Sequence, residues 1–378
     1  MRARREVRHD HGVTDVGATL GVEEEYHLVD AETMALADAP DVVPEAIALL
    51  GGRAQGEIST SQLEVASDVL TTLAGVRREV GELRRGADAA AQRHGCRILP
   101  TGTHPFGTWH DQTRTPDRRY DELEERFGLL ALQQLITGMH VHVAVPDGDL
   151  AVQVLDRLRP DLPVLLALSG SSPFWEGVDT GYASWRTQHY ARFPVTGSQE
   201  LLGDRAAYDR VVADLVTSGV VRDASHLYWD ARLSTRFPTI ELRVADVCPH
   251  VDDVVLQAGL GRALVREAAR AAVSGTPFAH PRPELVRAAR WGAARSGLEG
   301  ELLDLHVVER RPAADVVRGL VHRLRDDLEE AGEWDEVHAL AEQALARGTS
   351  AAEQRRTHAR TGDLAAVVRS VVDRAVPA

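Results

Sequence analysis

The chain has 378 residues, of which 44% are hydrophobic and 26% charged, with a formal net charge of −14. This is an ordinary globular composition, long enough for one large domain or two ordinary ones, and its acidic balance argues against nucleic acid as a main partner. Every residue in the Lys+Arg total is arginine, and the absence of lysine excludes a P-loop lysine, a Schiff-base or pyridoxal-phosphate lysine and a kinase-type strand lysine.

Residues 1–15 are charged and aperiodic and are expected to be disordered; they include no apolar h-region, so no secretory signal is expected. Residues 20–30 (LGVEEEYHLVD) read as a strand. Side chains alternate along a strand, so Glu23 and Glu25 share a face with His27 and Val29, whereas Leu20, Val22, Glu24, Tyr26 and Leu28 take the other. Two carboxylates about 7 Å apart on one face repel unless a cation or basic group sits between them. Oxygen ligands of this kind suit Mg²⁺ or Mn²⁺ better than zinc. A solvated edge strand would also tolerate such charges, and the decision rests on the remaining strands. Glu24, among apolar residues, asks for an arginine partner rather than a catalytic role.

A short helical stretch near residues 44–50 precedes a second extended segment, 56–67, that carries Glu57 and Glu64. These two lie seven positions apart, so both can face one site only if a bulge or turn intervenes. Residues 73–94 form a helix, with Leu73, Val76, Val80, Leu83 and Ala87 at helical spacing. Its arginines, among them Arg77, Arg78, Arg84 and Arg85, are expected to be solvated. Residues 97–110 run from a strand into a Gly/Pro loop, in which His104 is expected to order the loop.

Residues 135–145 (LITGMHVHVAV) alternate: Thr137, Met139, Val141, Val143 and Val145 lie opposite Gly138, His140, His142 and Ala144. A helix spans 149–158, and the longest apolar run, around 162–168, falls far short of a membrane span. Residues 170–197 form a long Gly/Ser/Pro/aromatic loop, and loops of that length usually carry function. A helix covers 205–218 and an extended piece 228–233; residues 238–247 (PTIELRVADV) alternate again, with Glu241 and Arg243 on one face. Beyond 252, helices are expected at 252–274, 283–295, 300–310, 312–331, 333–347 and 363–374. The whole suits an α+β fold, with an antiparallel sheet backed by helices. Residues 16–378 are expected to form a single catalytic domain, mainly helical over 252–378. Cys96 and Cys248 have no CxxC or zinc spacing, as in a reduced, cytosolic protein.

Four strands thus share one peculiarity, an apolar face opposite one bearing Glu23/Glu25, Glu57 or Glu64, His140/His142 and Glu241/Arg243. A lone histidine is more often a satisfied core or surface residue; the i,i+2 pair opposite an apolar face is not of that kind. A concave sheet face lined this way would bind hard divalent cations, and arginine beside carboxylates suits a polyphosphate–metal site. Trp175, Trp185 and Trp229 are assigned to packing.

The segments GVEEEY, GTHP, GMHVHV, SSPFWEGVDTGYASWR, YWDARLS and PTIELRVAD occur in that order from about residue 17 to 275. Together, and with the AEQRR stretch near Arg355, they resemble the bacterial carboxylate–amine ligases of the glutamate–cysteine ligase type 2 family, within the glutamine-synthetase-like superfamily. The resemblance implies a funnel-shaped active site on an antiparallel sheet, and ATP-dependent ligation through an acyl phosphate with Mg²⁺ or Mn²⁺. By motif, Glu23, Glu25, Glu57, Glu64, His140 and Glu241 correspond to metal ligands, and His142 lies nearer the nucleotide phosphates. Arg243 corresponds to the phosphate-stabilising arginine, with Arg232 a second phosphate or substrate candidate. Arg186 and Arg192 are candidates for a substrate carboxylate by charge and position. Tyr228 stands where the family usually has tryptophan.

Glutamate and cysteine are the substrates the family label implies. Neither nucleic acid nor a membrane is expected as a partner, and the helical C-terminal third offers surface for a homodimer. Two other readings fit the same face: a metal-dependent amide or peptide hydrolase that needs no ATP, and a regulatory relative that only binds nucleotide.

Overall fold

The computed structural model describes residues 15–376, so the stretch expected to be disordered lies, apart from Asp15, outside the described residues. The sheet is organised around β1 (Leu20–Asp30), whose Val22, Tyr26 and Leu28 are buried on its rear face. Strands β2 (Ala54–Gly56) and β3 (Gln62–Ala66) extend the sheet from one edge of β1. On the other edge β1 pairs with β4 (Cys96–Leu99) at its end and with β5 (Met139–Ala144) at its start. Beyond β5 lie the strands Thr239–Leu242 and Ala231–Leu233, and every pairing in this seven-stranded sheet is antiparallel.

Helices Leu73–Gln92, Gly148–Leu158 and Val251–Val273 cover the rear face and form one core with it. The first begins at Thr72, whose hydroxyl accepts the Gly75 N–H at 3.0 Å and so satisfies a terminal amide. Its Val76, Val80 and Ala87 have no exposed surface, and burial of each valine contributes about 1.5–3 kcal/mol. Helix Val251–Val273 approaches the sheet through Gly261, where a Cβ would stand 2.7 Å from Leu242 Cδ1. Among the described residues no helix is long and apolar enough to cross a membrane.

The C-terminal third departs from expectation at residues 300–310. Instead of a helix, strands Glu301–Asp304 and Glu309–Pro312 form a hairpin. Leu305 just beyond the first strand is buried against Val286 and Ala289 of helix Pro283–Ser296. Its turn has no Gly, Asn or Asp, and Val308 itself takes a φ of 58°; a β-branched residue is an unusual occupant of that region, so the turn leaves no sequence signal. The single helix expected over 312–331 is broken at the buried Leu324 into Ala313–Arg323 and Arg325–Glu330. Helices Arg118–Phe127, Trp185–Tyr190 and Ser350–Thr361 lie where none was expected.

Arg84 is a correction of another kind: it is fully buried rather than solvated. Its Nε donates to Glu24 Oε2 at 3.1 Å and its Nη2 to Glu24 Oε1, while Tyr26 donates its hydroxyl to the same carboxylate at 2.7 Å. The remaining guanidinium hydrogens reach the carbonyls of Cys248 and Pro249 at 2.6 Å and of Ala375 at 3.1 Å. One guanidinium therefore ties β1 to the segment after the last sheet strands and to the C-terminal helix. Breaking such a pair strands a buried charge. Arg84→Met should cost about 3–5 kcal/mol in urea denaturation, and the double variant Glu24→Gln/Arg84→Met should recover at least half of that.

Candidate functional site

The register of the strands assembles the front face. Opposite Glu23 on β1 lies His140, opposite Glu25 lies Glu64, and His142 stands between Gly21 on one side and Glu241 on the other. Arg232 lies across from Glu241. Directly paired residues point to one side of a sheet, so these seven side chains converge. Glu57 is brought in differently: the extended segment expected over 56–67 folds as the β2–β3 hairpin, with residues 57–61 in its turn. The turn offsets the odd spacing, and Glu57 joins Glu25 and Glu64. Over the face lies a cavity of about 280 Å³, which these residues line together with Arg119, Tyr120, Arg186, Tyr190, Tyr228 and Arg243.

Two clusters of potential metal-ligating atoms occupy its floor. In one, atoms of Glu23, His142 and Glu241 all lie within 4.8 Å of one another; in the other, so do those of Glu25, Glu57 and Glu64. His140 stands between them, with Nδ1 2.9 Å from Glu23 Oε2 and Nε2 3.9 Å from Glu25 Oε1. His142 Nε2 is 3.2 Å from Glu23 Oε1, and its Nδ1 lies 3.1 Å from the Thr239 hydroxyl. The geometry thus places His142 in a ligand cluster and His140 at the junction of both.

The clusters differ electrostatically. Burial acts to raise Glu23, but hydrogen bonds with His140 and His142 overcome it and hold the carboxyl well below the usual range. Glu241 is likewise held low, against burial, by Arg243 and Arg232. Glu64 is pushed well above the carboxylate range by burial first and then by Glu57, Glu23 and Glu25, which all act in the same direction. Glu25 is raised by burial and by Glu57, with His140 and Arg186 acting against them. Three close carboxylates with so little positive charge nearby fit a hard divalent cation. Burial, then Arg243, lowers the His140 pKa against Glu23 and Glu25, a direction that favours the neutral imidazole that ligates metals.

The arginines divide by their partners. Arg232 is used up in the protein: Nε and Nη2 grip Glu241 at 2.9 and 3.3 Å, and Nη1 donates to the carbonyls of Leu227, at 3.1 Å, and Ser225. Arg243 also reaches Glu241 through Nη1 and donates from Nη2 to the Tyr190 hydroxyl at 3.4 Å, but its buried Nε has no partner among the described residues. Arg186 lines the cavity as well, again with an unpartnered buried Nε. Arg192 turns aside to Gln133 and His189 and does not line the cavity. Tyr190 was missed from sequence although it lies four residues after Arg186, one helical turn on. Arg119 and Tyr120 were missed because their helix is charged on most faces. His104 orders its loop as expected, with Nδ1 accepting from Gly107 N at 2.7 Å and Nε2 lying 2.9 Å from the Met34 carbonyl.

A family model described as glutamate–cysteine ligase family 2 (GCS2) matches residues 19–370. The chain is 44% identical over 369 residues to a Frankia alni protein named "Putative glutamate–cysteine ligase 2-2", covering 94% of this chain and 96% of that one. A Mycolicibacterium smegmatis protein of the same name is 43% identical over 340 residues, covering 89% and 85%. Among solved structures the fold is similar to a Francisella tularensis glutamate–cysteine ligase in complex with AMP, with TM-score 0.69 and 14% identity over 94% of this chain and 88% of that one. It is also similar to a bifunctional glutathione synthetase of Pasteurella multocida, with TM-score 0.68 and 15% identity over 94% of this chain and 52% of that one. The chain belongs to glutamate–cysteine ligase family 2, a family of ATP-dependent carboxylate–amine ligases.

Proposed function

We propose that this chain joins the carboxyl group of glutamate, or of a similar acid, to the amine of a second substrate, cysteine being the one its relatives' names suggest. The observation that carries this reading is the composition of the cavity: a floor of two ligand clusters with Arg243 and Arg186 beside it. Glu23, His142 and Glu241 would hold one divalent cation and Glu25, Glu57 and Glu64 another, with His140 between. A bound Mg²⁺ or Mn²⁺ would neutralise polyphosphate charge at the site.

The residues account for the rest. The substrate carboxylate attacks the γ-phosphorus of ATP, the bond to the bridging oxygen breaks, and an acyl phosphate and ADP result. The phosphoryl group in flight spreads charge over its outer oxygens, which Arg243 on the cavity wall would stabilise. Arg243 is fixed for this role by Glu241 on one side and Tyr190 on the other. Arg232 acts through Glu241, which it holds in place. The amine then attacks the acyl carbon, phosphate leaves, and the amine gives up its proton as the amide forms. No enzyme nucleophile takes part. Cys96 and Cys248 are both buried, and burial pushes the Cys248 thiol well above its ordinary range; free thiols and the use of ATP suit a reducing, cytosolic setting.

ADP release measured with Mg²⁺ across pairs of amino acids should depend on the presence of both an acid and an amine donor. Amide cleavage without ATP would replace this reading with a hydrolase. Glu241→Gln keeps the side-chain shape but weakens both the cation cluster and the hold on Arg243. It should lower kcat by roughly 10²–10³-fold with an unchanged circular dichroism spectrum; full activity in that variant would remove Glu241 from the machinery.

A further inference from the structure

Asp246 is completely buried and does not line the cavity, yet it touches almost everything that delivers the loop to it. Its Oδ2 accepts hydrogen bonds from the Ser172 hydroxyl at 2.7 Å and the Ser171 N–H at 3.1 Å, and its Oδ1 accepts from the Ser184 hydroxyl at 2.7 Å. Both hydroxyls, having donated to Asp246, accept from the first turn of helix Trp185–Tyr190: Ser172 Oγ takes the Arg186 N–H at 3.0 Å and Ser184 Oγ the Thr187 N–H at 3.3 Å. That helix carries Arg186 and Tyr190 into the cavity. Arg186 Nη1 also lies 3.9 Å from Asp246 Oδ1.

The slot that receives the guanidinium is closely shaped. A Cβ at Gly138 would collide with Arg186 Nη2, and the same glycine gives its N–H to Glu25 at 2.6 Å. Arg186 is thereby set over the end of the ligand-bearing strand, 5.4 Å from the centre of the Tyr190 ring. The AEQRR stretch braces the arrangement from behind. Gln354 donates to the Ser171 carbonyl at 2.7 Å, and Arg355 clasps Asp179 and donates to the Tyr182 carbonyl at 2.9 Å.

We propose that Asp246 is a positioning residue for Arg186, fixing through Ser172 and Ser184 the helix turn that presents this guanidinium as a preformed carboxylate-binding group. The inference rests on the reading above, in which the cavity takes an acid substrate, and it assigns the acid's free carboxylate to Arg186. A preset guanidinium binds without first being ordered, so releasing it weakens acid binding while sparing ATP.

The test is steady-state ADP release by the full chain, with L-glutamate varied at saturating ATP and ATP varied at saturating glutamate. Asp246→Asn should raise the KM for glutamate about tenfold and leave the KM for ATP within about twofold. Arg186→Gln should raise the glutamate KM at least as much, and the double variant should add no more than about twofold to Arg186→Gln alone. Independent, multiplicative effects in the double variant, or equal rises in both KM values, would overturn the proposal. Should Asp246→Asn fail to fold, Ser184→Ala removes one arm of the clamp and should raise the glutamate KM about threefold with the same non-additivity. A raised KM in Arg186→Gln beside a normal one in Asp246→Asn would defeat positioning alone. An unchanged KM in Arg186→Gln, or no glutamate-dependent ADP release by the wild type, would overturn the carboxylate role and the positioning together.

Discussion

Like charges brought together in a poorly solvated place must be compensated, and β1 compensates in two different ways on its two faces. On the rear face Glu24 meets a single buried guanidinium, and the pair is closed by Tyr26 and three backbone carbonyls. On the front face Glu23 and Glu25 meet Glu64, Glu57 and Glu241, and the protein's own positive charge covers only part of the set. The first arrangement is finished within the fold. On the proposed reading the second is finished by a bound cation, since a carboxylate held above its ordinary pKa by burial and by its neighbours has affinity in reserve for one.

The division of labour among the arginines follows from the same accounting. Arg84 and Arg232 spend their donors on protein acceptors and act as fixed counter-charges. Arg243 and Arg186 each keep a buried Nε without a partner among the described residues and lie on the cavity wall. With no lysine in the chain, the proposed reading gives phosphate and carboxylate recognition to planar guanidinium groups, which hold oxygen pairs in fixed geometry once they are themselves held. The long loop after residue 170 brings one such group to the sheet, and its serines, Asp246 and Gln354 determine where that group rests.

The front face could be read from the sequence because a strand has a strict period of two: three alternating segments sufficed to bring Glu23, Glu25, His140, His142 and Glu241 to one side. The odd spacing of Glu57 and Glu64 even required the turn that the β2–β3 hairpin supplies. Other features carry no periodic signal. Arg84 looks like any helix-face arginine, and its burial depends on Glu24 lying beneath it in the tertiary fold. The hairpin over 301–312 turns through valine rather than glycine, and the six-residue helix Trp185–Tyr190 is too short to show a period. Arg186 stands within that helix and Arg192 just beyond its end, a difference that pattern alone does not contain.

Counting bound cations bears most directly on the proposed role of this face. Titration with Mn²⁺, followed by electron paramagnetic resonance in the presence of a non-hydrolysable ATP analogue, should give about two tight sites per chain, one for each cluster. Glu64→Gln should lose or weaken one of them and leave the other. Absence of tight Mn²⁺ binding, or two sites of undiminished affinity in Glu64→Gln, would contradict the assignment of these carboxylates to metal.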